Sequence, residues 1–144
     1  MGNISTPIVH KVLVRAPREK VYDALTSSDG LDKWFTSGAE IDLRAGGCIT
    51  FRWIDWGPDK VSEEATGRIV EVRRPERFVF KWWSDHYTTV EISFSEVEEG
   101  TVVELREYGY EDSAEGLRRC LSVATGWGEA LTLLKFYLEH GVKY

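Results

Sequence analysis

The sequence contains few cysteines, histidines and methionines, and these shortages exclude several classes of protein. Of its 144 residues, two are cysteine, three are histidine and one is methionine. Cys48 and Cys120 are far apart and form no Cys-x-x-Cys pair, so we predict free thiols in a reducing cytoplasm rather than a disulfide. Because the ligand spacing of a metal site is missing as well, no metal and no cofactor is expected.

Basic runs, long apolar runs and catalytic motifs are also missing. The formal net charge is -6, from 24 acidic and 18 basic residues, which argues against a surface that binds nucleic-acid phosphates. No stretch approaches the roughly 18 apolar residues that read as a membrane-spanning helix, so no membrane partner is expected. The nucleophile elbow, the P-loop, the dinucleotide-binding glycines and the His-Glu-x-x-His motif do not occur. No catalytic residue is therefore predicted.

One long helical pattern occupies the C-terminal part of the chain, from Asp112 to Gly141. Asp112 and Glu115 form a start similar to a capping box, and Gly141 suits the residue after a helix end. Its apolar residues follow each other at steps of three or four and share one helix face. That predicted buried face consists of Leu117, Leu121, Ala124, Gly128, Leu131, Leu134 and Leu138. Because such a helix cannot bury this face alone, it needs a sheet to pack against.

The rest of the chain predicts that sheet. Alternating patterns indicate seven strands. They start at residues 8, 40, 48, 65, 78, near 90 and at 101. The second strand is predicted over 40–44 and the third over 48–55. Pro17 suits the first turn of one short helix, and Asp29 is expected to cap a second one. Strands joined by hairpins imply an antiparallel sheet, and helices at the ends of the chain imply an α+β fold. We expect one domain over residues 1–144; a β-sandwich with added helices would leave the long helix without a partner.

Three ionisable residues share the inward-facing parity of their strands: His10, Asp55 and Glu107. A lone charge in an apolar interior is costly unless it is paired or neutralised. We therefore expect Asp55 at a strand end in solvent and His10 hydrogen-bonded near a rim. Glu107 follows two inward apolar residues, and whether it points into the interior stays open.

The aromatic residues are the main candidates for a binding site. The chain has six tryptophans, and large aromatic rings with a few polar tips are the usual lining of a site for a flat apolar ligand. Plain core packing is the alternative. Gly126 and Gly128 flank Trp127, and close helix-to-sheet packing is favoured there over the approach of a ligand. The predicted ligand-binding residues are Phe51, Trp53, Trp56, Phe80, Trp82, Tyr87, Glu107, Tyr110, Trp127 and Leu131.

Five segments carry a resemblance to a known family. They are APREKVYDALTSSDGLDKWF at 16–35, RAGGCITFRW at 44–53, GRIVEVRRPERFVFKWW at 67–83, GTVVELREYGY at 100–110 and GWGEALTLLKFYLEHG at 126–141. In this order they resemble the helix-grip fold of START and birch-pollen-allergen-like domains. Within that superfamily the chain looks like the homologues of the activator of the heat-shock-protein-90 ATPase. The resemblance implies a curved antiparallel sheet that grips the last helix and encloses an apolar cavity.

Three interpretations of function follow. The first is non-enzymatic binding of a small hydrophobic or aromatic molecule, such as a lipid, polyketide or flavonoid-like compound. The second, implied by the resemblance, is a co-chaperone role in the stress response, in which the domain stimulates an ATPase chaperone; the full-length activator of that family carries a further N-terminal domain that engages the chaperone. The third is a cyclase or hydrolase that uses Glu107 or His10 as a general acid or base. A cytoplasmic monomer or weak homodimer is expected.

Overall fold

The computed structural model describes residues 2–83 and 86–143, so most of the turn predicted at 84–86 lies outside the described residues. The elements are β1 (Ile8–Val14), α1 (Arg18–Thr26), α2 (Ser28–Asp32), β2 (Glu40–Ile41), β3 (Cys48–Trp56), β4 (Val61–Arg73), β5 (Arg77–Trp82), β6 (Thr88–Val97), β7 (Gly100–Tyr108) and α3 (Ala114–His140). This order confirms the predicted α+β class.

The strands form one antiparallel sheet in the order β1-β7-β6-β5-β4-β3-β2. Strands β3 to β7 follow each other as neighbours, whereas β1 pairs with β7, with Ile8 opposite Glu107. Strand β2 ends at Ile41, so the strand predicted over 40–44 is too long. The chain turns directly after it, and the Gly47 amide donates to the Arg44 carbonyl. A side chain at Gly47 would collide with the Asp42 carbonyl.

Helix α3 lies against the sheet, as predicted, but its first half presents a different face. Leu131 and Leu134 are buried, whereas Leu117 is 49% exposed and Leu121 is 61% exposed, so the prediction that Leu121 is buried is wrong. The buried positions in that half are Gly116, Cys120 and Trp127, each one residue before a position of the predicted face. The offset arises because the Trp127 ring, which the predicted stripe omitted, is buried. The buried face of α3 consists of Gly116, Cys120, Trp127, Ala130, Leu131 and Leu134.

The ends of the helices are set by serine caps and glycine. The Ser113 hydroxyl accepts from the Gly116 amide at 3.0 Å, so Ser113 rather than Asp112 caps α3. The Ser27 hydroxyl likewise accepts from the Gly30 amide at 2.9 Å and caps α2 in place of the predicted Asp29. At the other end of α3, Gly141 has a φ of 68°, as a left-handed C-terminal glycine should.

A bulge in β3 changes the direction of the side chains at its end. The pairing with β4 shifts between Trp53 and Trp56, and Asp55 has a φ of 50°. An extra residue in one strand reverses the alternation beyond it. Asp55 is consequently exposed, as expected for a strand end, although the simple alternation had placed it inward. Trp56 takes the inward position and packs against the core.

The core lies between the sheet, α3 and the two short helices. One large cluster of buried side chains includes Val21 and Tyr22 from α1, Leu31 from α2, and the inward residues of β3 to β7. Both cysteines are unpaired, which confirms that prediction; Cys48 is exposed and Cys120 is buried. None of the described helices is long and apolar enough to span a membrane.

Candidate functional site

A pocket of about 160 Å³ opens between α3 and the ends of strands β3, β4 and β5. Five of the six tryptophans of the chain line it. It reaches the surface at Ser122 and Glu63, both of which are exposed. We call it the aromatic pocket; its lining consists of Phe35, Trp53, Trp56, Val61, Glu63, Trp82, Trp83, Ser122, Val123, Gly126 and Trp127.

The walls of the aromatic pocket are rings that pack on one another. The Trp82 ring centroid lies 4.7 Å from that of Trp83 and 5.3 Å from that of Trp127. Phe35 contacts Trp53 edge-on at 5.4 Å and Trp56 at 5.9 Å. Protein interiors are normally filled to the density of organic crystals. These rings nevertheless leave a recess between them that is open to the surface.

The two glycines that flank Trp127 have different surroundings. A β-carbon at Gly128 would lie 3.4 Å from His10 Cε1, so this glycine permits close packing of β1 on α3, as predicted. A β-carbon at Gly126 would meet no atom within 4 Å, and Gly126 lines the aromatic pocket. For Gly126 the packing explanation is wrong: its missing side chain leaves space on the pocket side of the helix.

Behind the pocket wall, Glu107 is fully buried and binds four donors. Its Oε1 accepts from Trp127 Nε1 at 2.7 Å. Its Oε2 accepts from Trp82 Nε1 at 2.9 Å, from Thr88 Oγ1 at 2.7 Å and from the Tyr110 hydroxyl at 2.7 Å. We call these five residues the Glu107 network. It joins the ends of β5, β6 and β7 to the middle of α3.

The Glu107 network satisfies a buried carboxylate with neutral donors. All four partners donate, so every hydrogen bond of the network runs towards the carboxyl oxygens of Glu107. Burial, and next the charge of Glu107, raise the pKa of the Tyr110 hydroxyl. Burial and then Glu107 also raise the pKa of the Cys120 thiol. Because Trp82 and Trp127 are held by their indole nitrogens, two walls of the aromatic pocket have fixed orientations.

Two other tryptophans of the pocket have no such partner. The buried indole nitrogens of Trp53 and Trp83 form no hydrogen bond, in contrast to Trp34, whose indole donates to the Ala24 carbonyl at 2.8 Å. The Trp83 indole also lies close to the Tyr110 hydroxyl. Trp83 also has a φ of 64°, a strained conformation for a bulky residue.

The structure brings four of the ten predicted site residues into the lining, namely Trp53, Trp56, Trp82 and Trp127. Glu107 and Tyr110 lie behind that wall, in the Glu107 network. The other predicted residues are outside the lining: Phe51, Phe80 and Leu131 are core residues, and Tyr87 is 51% exposed.

Sequence reasoning missed Phe35 and Trp83, which lie in connecting segments where strand alternation gives no direction. The Nε2 of His10 lies 2.9 Å from the Ala124 carbonyl, as expected for a hydrogen-bonded histidine. Among the residues that the structure describes, no group of histidine, cysteine or carboxylate side chains could hold a metal ion.

Comparison with known proteins gives one family match and many similar folds. The family model for "Activator of Hsp90 ATPase homolog 1-like protein" matches residues 15–139. Protein SSP2350 from Staphylococcus saprophyticus has 29% sequence identity and a TM-score of 0.76, with 96% of each chain covered. No curated protein matches the chain.

Two further solved structures share the fold at lower identity. The Aha1 dimer from Colwellia psychrerythraea has 23% identity and a TM-score of 0.78, covering 94% of this chain and 98% of that chain. CalU16 from Micromonospora echinospora has 24% identity and a TM-score of 0.73, covering 97% of this chain and 84% of that one. At these identities the likeness establishes the fold alone.

Proposed function

Since the chain belongs to the family of activator of Hsp90 ATPase homolog 1-like proteins, we propose that it acts as a helix-grip binding domain for a small hydrophobic or aromatic molecule. One observation carries the proposal: the aromatic pocket is hollow although five tryptophans and Phe35 line it. Rings offer large apolar contact area to a flat ligand at little entropic cost. Lipid, polyketide and flavonoid-like molecules all contain parts of this kind.

The volume of the pocket limits the size of the buried part of the ligand. Typical ligand pockets enclose about 300–1,000 Å³, whereas an apolar cavity of about 150 Å³ holds one benzene ring. At about 160 Å³ the aromatic pocket suits one ring or a compact pair of fused rings. A neighbouring groove of about 320 Å³ shares Trp83 and Ser122 with the pocket and includes Arg118 and Arg119. A larger ligand would extend along this groove.

A pair of substitutions at Gly126 tests the proposal. Gly126→Leu places a side chain in the pocket, whereas Gly126→Ala leaves most of the volume free and is the matched control. With naphthalene as the probe, wild type and Gly126→Ala should show quenched tryptophan fluorescence and a higher melting temperature, as binding to the folded state requires. Gly126→Leu should fold but show neither effect. If naphthalene at saturation leaves wild type unchanged, the proposal is refuted.

The acid–base interpretation has less support from the geometry. Neither Glu107 nor His10 belongs to the lining of the aromatic pocket. Glu107 lies behind Trp82 and Trp127 and accepts hydrogen bonds from both. A general acid or base must reach the reacting group directly or through one water, so the proposal is binding without catalysis.

Contact with a protein partner is the second candidate function. Leu117 and Leu121 lie one turn apart on the outer face of α3 and are 49% and 61% exposed. Together with the family description, they favour contact with a chaperone ATPase. The test compares stimulation of an Hsp90-type ATPase by wild type and by the double variant Leu117→Ser and Leu121→Ser. The partner role is supported if Gly126→Leu still stimulates the ATPase activity and the double variant does not. It is refuted if wild type does not stimulate the ATPase activity.

A further inference from the structure

The polar atoms in the wall of the aromatic pocket are mainly indole donors, and their pairing differs from ring to ring. Trp82 and Trp127 donate to Glu107 and are satisfied. The Trp53 nitrogen is buried and unpaired, although its ring is only 8% exposed and lines the pocket. Buried donors in native proteins almost always have a partner, so an unpaired one at a pocket requires an explanation.

The core around Trp53 offers its nitrogen no acceptor in the described structure. Its ring contacts are aromatic: it stacks on Phe51 with centroids 5.9 Å apart and meets Phe35 edge-on at 5.4 Å. Phe, unlike Trp, would fill this apolar site without a buried donor. The Trp53 ring also lines the aromatic pocket, so an acceptor can approach the ring from the pocket side.

From this we infer the chemical class of the ligand: a flat aromatic molecule with a carbonyl oxygen on or beside its ring, which accepts a hydrogen bond from Trp53. The inference rests on the proposed function of the aromatic pocket. Because the Trp53 nitrogen is itself buried, the ring must rotate on binding to present its N–H to such an oxygen. A pure hydrocarbon or an acyl chain would leave the donor unpaired, and an unpaired buried donor weakens binding.

The neighbourhood of Trp83 strengthens this assignment. Trp83 lines the same pocket, and its indole lies close to the Tyr110 hydroxyl. Its backbone is held at a φ of 64°, and strained residues cluster at functional sites. Glu63 and Ser122 lie on the open side of the pocket, so any hydroxyl group of the ligand would be accommodated there, away from Trp53.

The test uses two probes of nearly equal shape, indane and 1-indanone, which differ in one carbonyl oxygen. Dissociation constants for both are measured by tryptophan fluorescence and calorimetry on wild type, Trp53→Phe and the control Trp34→Phe. Trp34 is buried, its indole is bonded to Ala24, and it does not line the aromatic pocket. A ¹H–¹⁵N spectrum of the indole groups reports on wild type directly, with Trp53→Phe used to assign the resonance.

We expect wild type and Trp34→Phe to prefer 1-indanone over indane, and the ratio of the two constants to fall by about tenfold or more in Trp53→Phe, as the loss of one buried hydrogen bond implies. The Trp53 indole proton should move downfield with 1-indanone and not with indane. If both probes bind and Trp53→Phe leaves their ratio unchanged, the carbonyl inference is refuted while pocket binding stands. If neither probe binds wild type, the proposed function itself fails. Should Trp53→Phe not fold, the Trp53 indole resonance is assigned from through-bond and NOE spectra of wild type, and its shift decides alone.

Discussion

The face that α3 presents to the sheet can be tested by the same substitution at two leucines. Leu131 is 2% exposed and Leu121 is 61% exposed, although both lie on α3. Leu131→Ala removes about three buried carbon groups at roughly 0.8 kcal/mol each, and the cavity left behind adds a similar amount. We therefore expect a loss of about 2–5 kcal/mol in the free energy of unfolding. Leu121→Ala removes atoms that are already in water and should change it by no more than about 0.5 kcal/mol.

Chemical denaturation of both variants measures these values, and thermal unfolding provides a second reading. For a chain of this length each kcal/mol corresponds to about 2–4 °C, so the melting temperature of Leu131→Ala should fall by roughly 4–20 °C. Helix propensity does not confuse the comparison, because leucine and alanine are both good helix formers and the change is the same at both sites. Equal losses at the two positions, or a larger loss for Leu121→Ala, would refute the packing described for the first half of α3.

Three further predictions concern the Glu107 network and the thiols. Glu107→Gln places an amide donor against one indole N–H and should lower the free energy of unfolding by about 1–3 kcal/mol. The same change at exposed Glu98 is the control. An unchanged denaturation midpoint for Glu107→Gln would contradict the network. Because the pKa of Tyr110 is raised in the folded state, its contribution to the free energy of unfolding is fully present below about pH 10. Above that pH the free energy of unfolding should decline by up to about 1.4 kcal/mol per pH unit. Tyr110→Phe should make this alkaline decline shallower in unfolding measurements. A thiol reagent should modify exposed Cys48 quickly and buried Cys120 only on unfolding; fast reaction of both would show that α3 opens.

Much of the fold could be predicted because it depends on local alternation. The inward sets of β5 to β7 follow a strict period of two, and all of them are buried. The errors occur where a single residue decides the direction. One extra residue in β3 turns Trp56 inward in place of Asp55, and the first half of α3 has apolar residues on two adjacent faces. Leu117 and Leu121 satisfy the helical period as well as the truly buried residues do, and only the position of Trp127 distinguishes the faces.

The candidate site was less predictable because it is assembled from separate elements. The parity of β7 indicated that Glu107 could point inward, and it does. Its donors come from β5, β6, the segment after β7 and α3, and no spacing in the sequence connects them. Phe35 and Trp83 are in connecting segments, where neither the strand nor the helix period predicts a direction. Gly126 could have been identified from the sequence, because a glycine in the middle of a helix is unfavourable and indicates that space is needed there.

The pairing of β1 with β7 also bears on how the chain reaches its native state. Strands β3 to β7 are joined by hairpins, so each pair can form from residues close in sequence. Ile8 and Glu107, by contrast, lie roughly a hundred residues apart, and contacts at such separations slow folding. Helix α3 packs on β1, and its Trp127 ring contacts Trp82 at the end of β5. Strands β3 to β7 can thus assemble first, while closure of β1 against β7 and docking of α3 complete the burial of Glu107 as a late step.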